Sequence, residues 1–565
     1  NQINLECEKL FHICSDPSYL NRIWDNYLEI SSILEKIKKL EETEVKSLER
    51  IDVIEEFISW LKQHDAKMYG ISICEFPNYD LGLKAEIEFK ENDIILEIPR
   101  KLIFNVHTAA FEIKDIQNDI LIKNMPYIGL AIALLIEKNK EQSKWKPYLN
   151  ILPKNYNTVL YMNINDMMEL KDSPNFDAAL KQCRNIARQY SYFNKIFQNS
   201  KNSVSELLRD TFSYEEYRWA VSTVMTRQNI IPSEDNLQMI HSLIPMWDLC
   251  NHEHGKITTN FNMNTNCCEC YAMKNFKMGD QIFIHYGSQS NSEFFIHSGF
   301  VYNNNKNDSF KLRLSISKVD ALQKERKSLL LKVGLSSVNE YLIKPESEPI
   351  SSQLLGFLRI LNMNKKQLDY WIKSSETSDL MNPKSVYFEA LDKNVLKYIV
   401  TRLKLLLSKY PSSEQNDVKL IENTSQNWSK LVLRMRLCER NHQNGSKTKV
   451  VGLDRTTGLM LLLPIVMRIV EIVVNLTVGN NCKTSSRCAS RQRRVAMGAL
   501  IGDMNCEDYL VNVGGLFSGL ITIKLQSPDR GCRHCVTIIT ASPEFPDSIG
   551  SFFYGLIIIR LQKPG

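Results

Sequence analysis

The chain has 565 residues, of which 43% are hydrophobic and 24% charged, and a net charge of +6. This is ordinary composition for a globular protein, with length for about two to four domains. So mild a balance gives no reason to expect a nucleic-acid partner, which calls for a concentrated basic patch. The opening NQINLECEKLFHIC has acidic and polar residues where a secretion signal carries its apolar core. The fourteen cysteines are therefore expected to be mostly free thiols in a reducing, intracellular setting.

Residues 1–45 read as a charged helical segment. From Arg50 to Asp65, Ile54, Phe57, Ile58, Trp60 and Leu61 recur at helical spacing and predict an amphipathic helix. From Tyr69 the period shortens. LGLKAEIEFKENDIILEIPRKLIF alternates apolar and polar positions around the polar group Lys90–Asp93, which predicts strand, turn and strand. Residues 105–230 return to helical patterning. In SYEEYRWAVSTVMTRQN, Ser213 and Glu216 have capping-box spacing and Phe212 takes the staple position. That helix should run to about Thr226 and deliver Arg227, Gln228 and Asn229 at its end.

The segment IPMWDLCNHEHG sets an apolar run against Asp248, Cys250, Asn251, His252, Glu253 and His254. A metal site fails on spacing. His252 and His254 are two apart, which on a helix turns them about 200° from each other, and the zinc-protease pattern needs His-Glu-x-x-His. In CCEC, Cys267 and Cys268 are adjacent and would face opposite sides of a strand, and a lone CRHC at 532–535 is weak. No metal is expected. Two or three short strands follow between Ile257 and Gly287. In QIFIHYG, Ile282, Ile284 and Tyr286 share a face, and Gly287 permits a turn or a close approach. Residues 310–440 read as all helical, and NVLKYIVTRLKLLLSKY stops before Pro411. Residues 441–565 have erratic patterning. GLMLLLPIVMRIVEIVVNLTVG at 458–479 is long enough to span a bilayer, but Pro464 interrupts it and Arg468 and Glu471 sit in its middle. Each such charge costs about 2.5–3.5 kcal/mol there, so no membrane span is expected.

Taken in order, these elements resemble the SET methyltransferases, in their Rubisco-methyltransferase-like subgroup. DLGLKAEIEFKENDIILEIPRKL resembles the first SET strands, WDLCNHEHG the cofactor motif, and FIHYG with SNSEFFIHSGF the catalytic tyrosine segment. The implied fold is α+β: a SET β-fold at 46–305 with a helical insertion at about 105–230, then an all-α substrate-binding domain at 310–440. Residues 441–565 stay unassigned. The longer runs SYEEYRWAVSTVMTRQN, LIPMWDLCNHEHGKITTNFN and PISSQLLGFLRILNM resemble the histidine-specific branch of the family.

That resemblance implies methyl transfer from S-adenosyl-L-methionine to a histidine ring nitrogen of actin. It further implies a monomer that needs no nucleic acid or membrane, working in the cytoplasm, with the nucleus as a second compartment. Cofactor contacts would come from Arg50, Tyr79, Asp80, Leu81, Arg227, Asp248, Leu249, Cys250, Asn251, His252, Ser298, Gly299 and Phe300. Asp80 stands where the family often has glycine. Tyr286 and Asn229 would be catalytic. Asn229 also reads as a helix C-cap, and Tyr286 as plain core packing. Arg188, Trp247, Asn229 and Gln289 would meet the protein substrate, Gln289 standing where the resembled enzymes have arginine. Arg188 also reads as a surface salt-bridge residue. Two other functions stay open: a lysine methyltransferase of the same subgroup, and an actin-binding scaffold with a decayed active site.

Overall fold

A computed structural model describes residues 2–41, 49–109, 111–303, 305–343, 350–383, 385–424 and 427–440, with strands at 510–514, 521–526, 533–540 and 554–562. The chain divides into two units, Asn1–Val450 and Val451–Gly565.

The alternating stretches of the first unit form two small sheets. Their strands are β1 (Lys67–Met68), β2 (Ile71–Phe76), β3 (Asp80–Ala85) and β4 (Ile94–Pro99), then β5 (Asn229–Pro232), β6 (Met239–Ser242), β7 (Asn251–His252), β8 (Thr259–Asn262), β9 (Cys267–Tyr271) and β10 (Gln281–Ile284). One sheet has the order β1-β4-β9-β8 and the other β2-β3-β10-β7, while β5 and β6 form a separate hairpin. The strand–turn–strand reading of 81–104 holds for its elements, with Asn92 in the turn at φ +71°. Its two strands, however, join different sheets. The hairpin partner of β3 is β2, in register from Ile71 opposite Ala85 to Phe76 opposite Asp80. Period-2 alternation marks a strand but carries no information about which neighbour it pairs with. In β9, Cys268 and Cys270 point into the core opposite Ile98 and Leu96, while Cys267 turns outward. The nine cysteines among the described residues of the first unit are all free.

Helices surround these sheets. Ile54–Gln63 buries Phe57, Trp60 and Leu61 as its spacing requires. Tyr214–Arg227 begins at Ser213, whose hydroxyl accepts from the Glu216 N–H at 3.2 Å. The reciprocal half of the expected box is missing, because the Glu216 carboxylate takes the Lys138 ammonium instead, at 2.7 and 2.9 Å. The staple is present: the Phe212 ring lies 5.5 Å from that of Tyr217.

The region expected to be all helical contains an antiparallel pair, β11 (Phe310–Ser315) and β12 (Val338–Ile343), with the helix Gln323–Lys332 between its strands. It has a core of its own, built from residues such as Leu312, Leu354, Phe357 and Val395. The helix at 427–440 does not belong to that core. It returns Leu431, Val432 and Met435 to the core of the sheets and their helices. Buried Glu439 accepts from Ser173 (2.5 Å), Asn175 (2.6 Å) and Tyr410 (2.7 Å). Buried Asp417 faces Arg440 at 2.9 Å and Arg436 at 3.8 Å.

Within the second unit, the described strands lie antiparallel in the order 510–514, 554–562, 533–540, 521–526. The apolar stretch 458–479 and Cys532 of CRHC lie outside the described residues. Among the described residues no helix is long and apolar enough to cross a membrane.

Asp417→Ala would leave two buried guanidinium groups without their carboxylate. A loss of about 3–5 kcal/mol is expected, read as a shift in the chemical-denaturation midpoint. A loss below about 1 kcal/mol would show the cluster to behave as a surface ion pair.

Candidate active site

The turn of chain at Trp247–Leu249 leads into the two-residue strand β7, which pairs in parallel with β10. Asn251 sits opposite Phe283 and His252 opposite Ile284. This pairing sets the Asn–His dipeptide beside QIFIHYG, although 28 residues separate them in sequence. Two hydrogen bonds then fix Tyr286. Its backbone N–H donates to His252 Nδ1 at 3.2 Å, and its hydroxyl donates to the Cys250 carbonyl at 2.7 Å.

His252 is buried in a box of rings: Phe294 and Tyr302 with centroids at 4.9 Å, Tyr286 at 5.1 Å and Phe300 at 5.9 Å. Burial, with the His285 ring beside it, pushes its pKa down to about 4. The imidazole is therefore neutral, and Nδ1, as an acceptor, leaves the hydrogen on Nε2. Burial raises the Tyr286 phenol above its usual range, against the opposing pull of Arg227. It stays protonated at neutral pH and acts as a donor and a dipole, not as a base.

These residues face a cleft of about 630 Å³. Arg50, Tyr79, Asp80, Leu81, Arg227, Asp248, Leu249, Cys250, Asn251, His252, Tyr286, Ser298, Gly299 and Phe300 all line it. The charged groups are arranged in pairs. Arg227 Nη1 donates to the Asp248 carbonyl and lies 3.7 Å from its carboxylate. Arg50 donates from Nη1 to Asp80 Oδ2 at 2.5 Å and from Nε to the Ile151 carbonyl at 2.7 Å. Burial raises the Asp248 carboxyl, while Arg227 and the Tyr148 hydroxyl, donating at 2.6 Å, hold it down. Arg227 Nε and Asp248 Oδ1 are buried and have no hydrogen-bond partner among the described residues.

Asp80 has φ +61°, a region asparagine and aspartate enter more readily than most residues. Gly299 is stricter. It ends the turn Phe294–Ser298 at φ +76°, and a Cβ there would lie 2.3 Å from the backbone of Asn157. Gly287 has φ +98°, and no atom lies within 4 Å of where a Cβ would stand, so the turn alone accounts for it here.

Four residues expected to meet a substrate lie off this lining. Trp247 is fully buried, its indole N–H on Thr259 Oγ1 at 2.7 Å, so it presents no free face. Arg188 is exposed beside a separate cavity with Phe11, Ile120 and Tyr192, and among the described residues no carboxylate pairs with it. Gln289 is half-buried, with Nε2 3.4 Å from the Tyr286 carbonyl. Asn229 opens β5, and the C-cap is Gln228 instead. Its amide donates only weakly, at 3.4 Å, to the Arg227 carbonyl. Other residues line the cleft or support it without having been expected. Tyr148 and Tyr156 lie behind Asp248 and Arg227, Asn157 approaches Gly299, Tyr302 closes the ring box, and Arg434 comes from the helix at 427–440. They arrive from distant segments and carry no local pattern.

Two curated relatives, the actin-histidine N-methyltransferases of Xenopus tropicalis and Gallus gallus, are each 36% identical over 78% of this chain, covering 77% and 75% of their own lengths. The chain belongs to the actin-histidine N-methyltransferase family. The human relative is 34% identical over the same share of this chain. The family model "Rubisco LSMT substrate-binding" matches residues 317–441. This match includes the helix at 427–440. Among solved structures, the SET domain of LSMT bound to lysine and AdoHcy superposes with a TM-score of 0.60 at 20% identity, covering 73% of this chain and 92% of that one. Rubisco LSMT bound to AdoMet gives 0.58 at 20% identity, covering 72% and 93%. These likenesses establish the SET fold in a member of the actin-histidine family.

Gly299→Ala is expected to weaken ligand binding in the cleft more than tenfold and to lower the melting temperature. Gly334→Ala, at φ +74° with no atom within 4 Å, carries the backbone strain alone. If both variants lose the same melting temperature and both keep binding, the contact with Asn157 is not what demands glycine at 299.

Proposed function

We propose that this protein is an S-adenosyl-L-methionine-dependent protein-histidine N-methyltransferase acting on actin. The observation that carries this reading is the convergence of Arg50, Arg227, Asp248, Asn251, His252 and Tyr286 on one cleft, in a chain 36% identical to enzymes of that name.

The cleft suits a zwitterionic, cationic ligand. Arg227 keeps a free Nε–H for a carboxylate. Asp248 Oδ1 accepts no hydrogen bond, with Arg227 Nη1 3.7 Å away, and can meet a cation. Asn251 Nδ2, only weakly engaged by the Leu81 carbonyl at 3.4 Å, can donate to a polar group. Phe300 and the ring box offer an apolar end. Arg50, Arg227, Asp248 and Asn251 would hold the amino-acid portion and the aromatic end the adenosine. The bound cofactor supplies a methyl group on a sulfonium, which transfers without a metal or an added base.

The protein's own contribution is positional, and positioning can supply several kcal/mol of a displacement barrier. Tyr286 is held at both its backbone and its hydroxyl, so its oxygen presents a fixed dipole to the reacting groups. Because that phenol stays protonated, it cannot take a proton from the incoming nucleophile. A lysine, with pKa about 10.4, needs such help, whereas a histidine ring, with pKa about 6.5, is already mostly neutral. The ring nitrogen gives its lone pair to the new N–C bond as the S–C bond breaks, and the methylated ring then releases its N–H proton to solvent. What the ring does need is a fixed tautomer and angle. The lightly engaged Asn229 amide, two residues past Arg227, is proposed to provide them, with Trp247 backing the wall from within the core. Actin as substrate carries with it a cytoplasmic location, and a nuclear one in addition, as part of the same proposal. A monomer suffices, since one chain contains every group named.

Incubation with labelled cofactor and a histidine-bearing actin peptide is expected to give N-methylhistidine, and replacing that histidine by alanine should abolish labelling. The rate should rise about tenfold per pH unit below ~6.5 and level off above it; a rate still climbing at pH 9 would indicate a lysine nucleophile. Tyr286→Phe is expected to lower kcat about ten- to hundredfold with little change in cofactor affinity by calorimetry. Full turnover in that variant would remove Tyr286 from the mechanism, and absence of cofactor binding by the wild type would favour the scaffold.

A further inference from the structure

Three guanidinium groups, from Arg50, Arg227 and Arg434, line the cleft. Arg50 differs from the other two in how it is engaged. Its side chain is only 14% exposed, and its Nε is committed inward to the Ile151 carbonyl. One of its two amino groups, Nη1, is taken by Asp80 at 2.5 Å. Burial and the neighbouring Arg227 both disfavour the charge on Arg50, and Asp80 offsets them.

Asp80 is anchored in a different way. Its backbone is fixed by the β2–β3 hairpin, where it pairs with Phe76, and by the preceding turn, in which the Tyr79 N–H donates to the Phe76 carbonyl at 3.0 Å. Tyr79 in turn packs edge-on to Phe283 at 5.5 Å. The Asp80 carboxylate itself is 61% exposed, and among the described residues Arg50 is its ion-pair partner. A rigid backbone thus holds out a side chain free to rotate, over a buried cation at a ligand cleft.

We infer that Asp80 is a displaceable counter-ion. It neutralises Arg50 when no anionic ligand is present, and it must give up Arg50 to a ligand that brings its own carboxylate. The inference rests on the cofactor reading above. Two consequences follow from the charges. Asp80 weakens binding of any ligand through its carboxylate, because two anions compete for the charge of one guanidinium whose Nη1 Asp80 already holds. Its negative charge also offsets part of this cost for a ligand carrying an extra positive charge. S-adenosylmethionine, with its sulfonium, receives that compensation, whereas the uncharged thioether of S-adenosylhomocysteine does not. Asp80 therefore biases the cleft toward the methyl donor and against the spent product, which makes it a specificity-determining residue for turnover.

The test is calorimetry on the full chain, comparing wild type with Asp80→Asn and Asp80→Gly. Both replacements accept the left-handed backbone at this position. S-adenosylhomocysteine and its decarboxylated counterpart serve as the two ligands. In both variants the Kd for S-adenosylhomocysteine is expected to fall about two- to fivefold, the range of an exposed ion pair. The decarboxylated ligand should show no such gain. The gain should also shrink in 1 M salt, which screens exposed pairs. In activity assays the variants should show stronger inhibition by S-adenosylhomocysteine relative to their KM for the methyl donor. Unchanged or weaker binding of S-adenosylhomocysteine in both variants overturns the inference and makes Asp80 a support for Arg50. Equal gains for both ligands would also overturn it, since the competition would not involve a carboxylate. If the wild type binds neither S-adenosylmethionine nor S-adenosylhomocysteine, the cofactor reading itself fails, and this inference with it.

Discussion

The parallel pairing of β7 with β10 is the constraint on which the site depends. It is only two residues long, Asn251 and His252 against Phe283 and Ile284. It nevertheless brings together two segments that local sequence could not have joined. Once His252 is in register, its Nδ1 receives the Tyr286 N–H, and the Tyr286 hydroxyl reaches back to the Cys250 carbonyl. The dipeptide read as a cofactor motif therefore also fixes the position of the tyrosine. His252 can do this because its ring box keeps it neutral. A charged imidazolium has hydrogens on both nitrogens and could not accept the Tyr286 N–H.

Electrostatics in the cleft follow from partial burial. Arg227 and Asp248 lie beneath the surface, where an unpaired charge is costly, so each is held by the other and by Tyr148 and Tyr156 behind them. Pairing is incomplete, and one buried atom on each side stays unsatisfied. Such atoms are uncommon in folded proteins, and here both belong to residues that line the cleft. Arg50, buried to a similar degree, has an exposed carboxylate as its partner instead. The cleft is thus assembled from one fixed ion pair and one loose one.

The returning helix at 427–440 links the two cores of the first unit. Its apolar residues enter the core of the sheets, Glu439 is held by Ser173 and Asn175 of the insertion, and Arg436 and Arg440 meet Asp417. The same helix carries Arg434 to the cleft. The chain that leaves the second core is in this way tied back to the sheets and their helices through buried polar groups.

Local sequence was enough wherever a property depends on neighbours along the chain. The helix Ile54–Gln63, the cap and staple before Tyr214 and the strands around Lys90–Asp93 all rest on spacing alone. The resemblance to a known family added residues of the cleft, from Arg50 to Phe300. Sequence did not give the partner of β3, the β11–β12 pair inside a helical region, or the return of the helix at 427–440 to the first core. Nor did it give the burial of Trp247, the location of Arg188 beside another cavity, or the grip of Asp80 on Arg50. Each of these depends on contacts between residues tens to hundreds of positions apart. Alternation and helical period state which face of an element is apolar, but only packing in three dimensions decides what covers that face and which charges are brought within reach of one another.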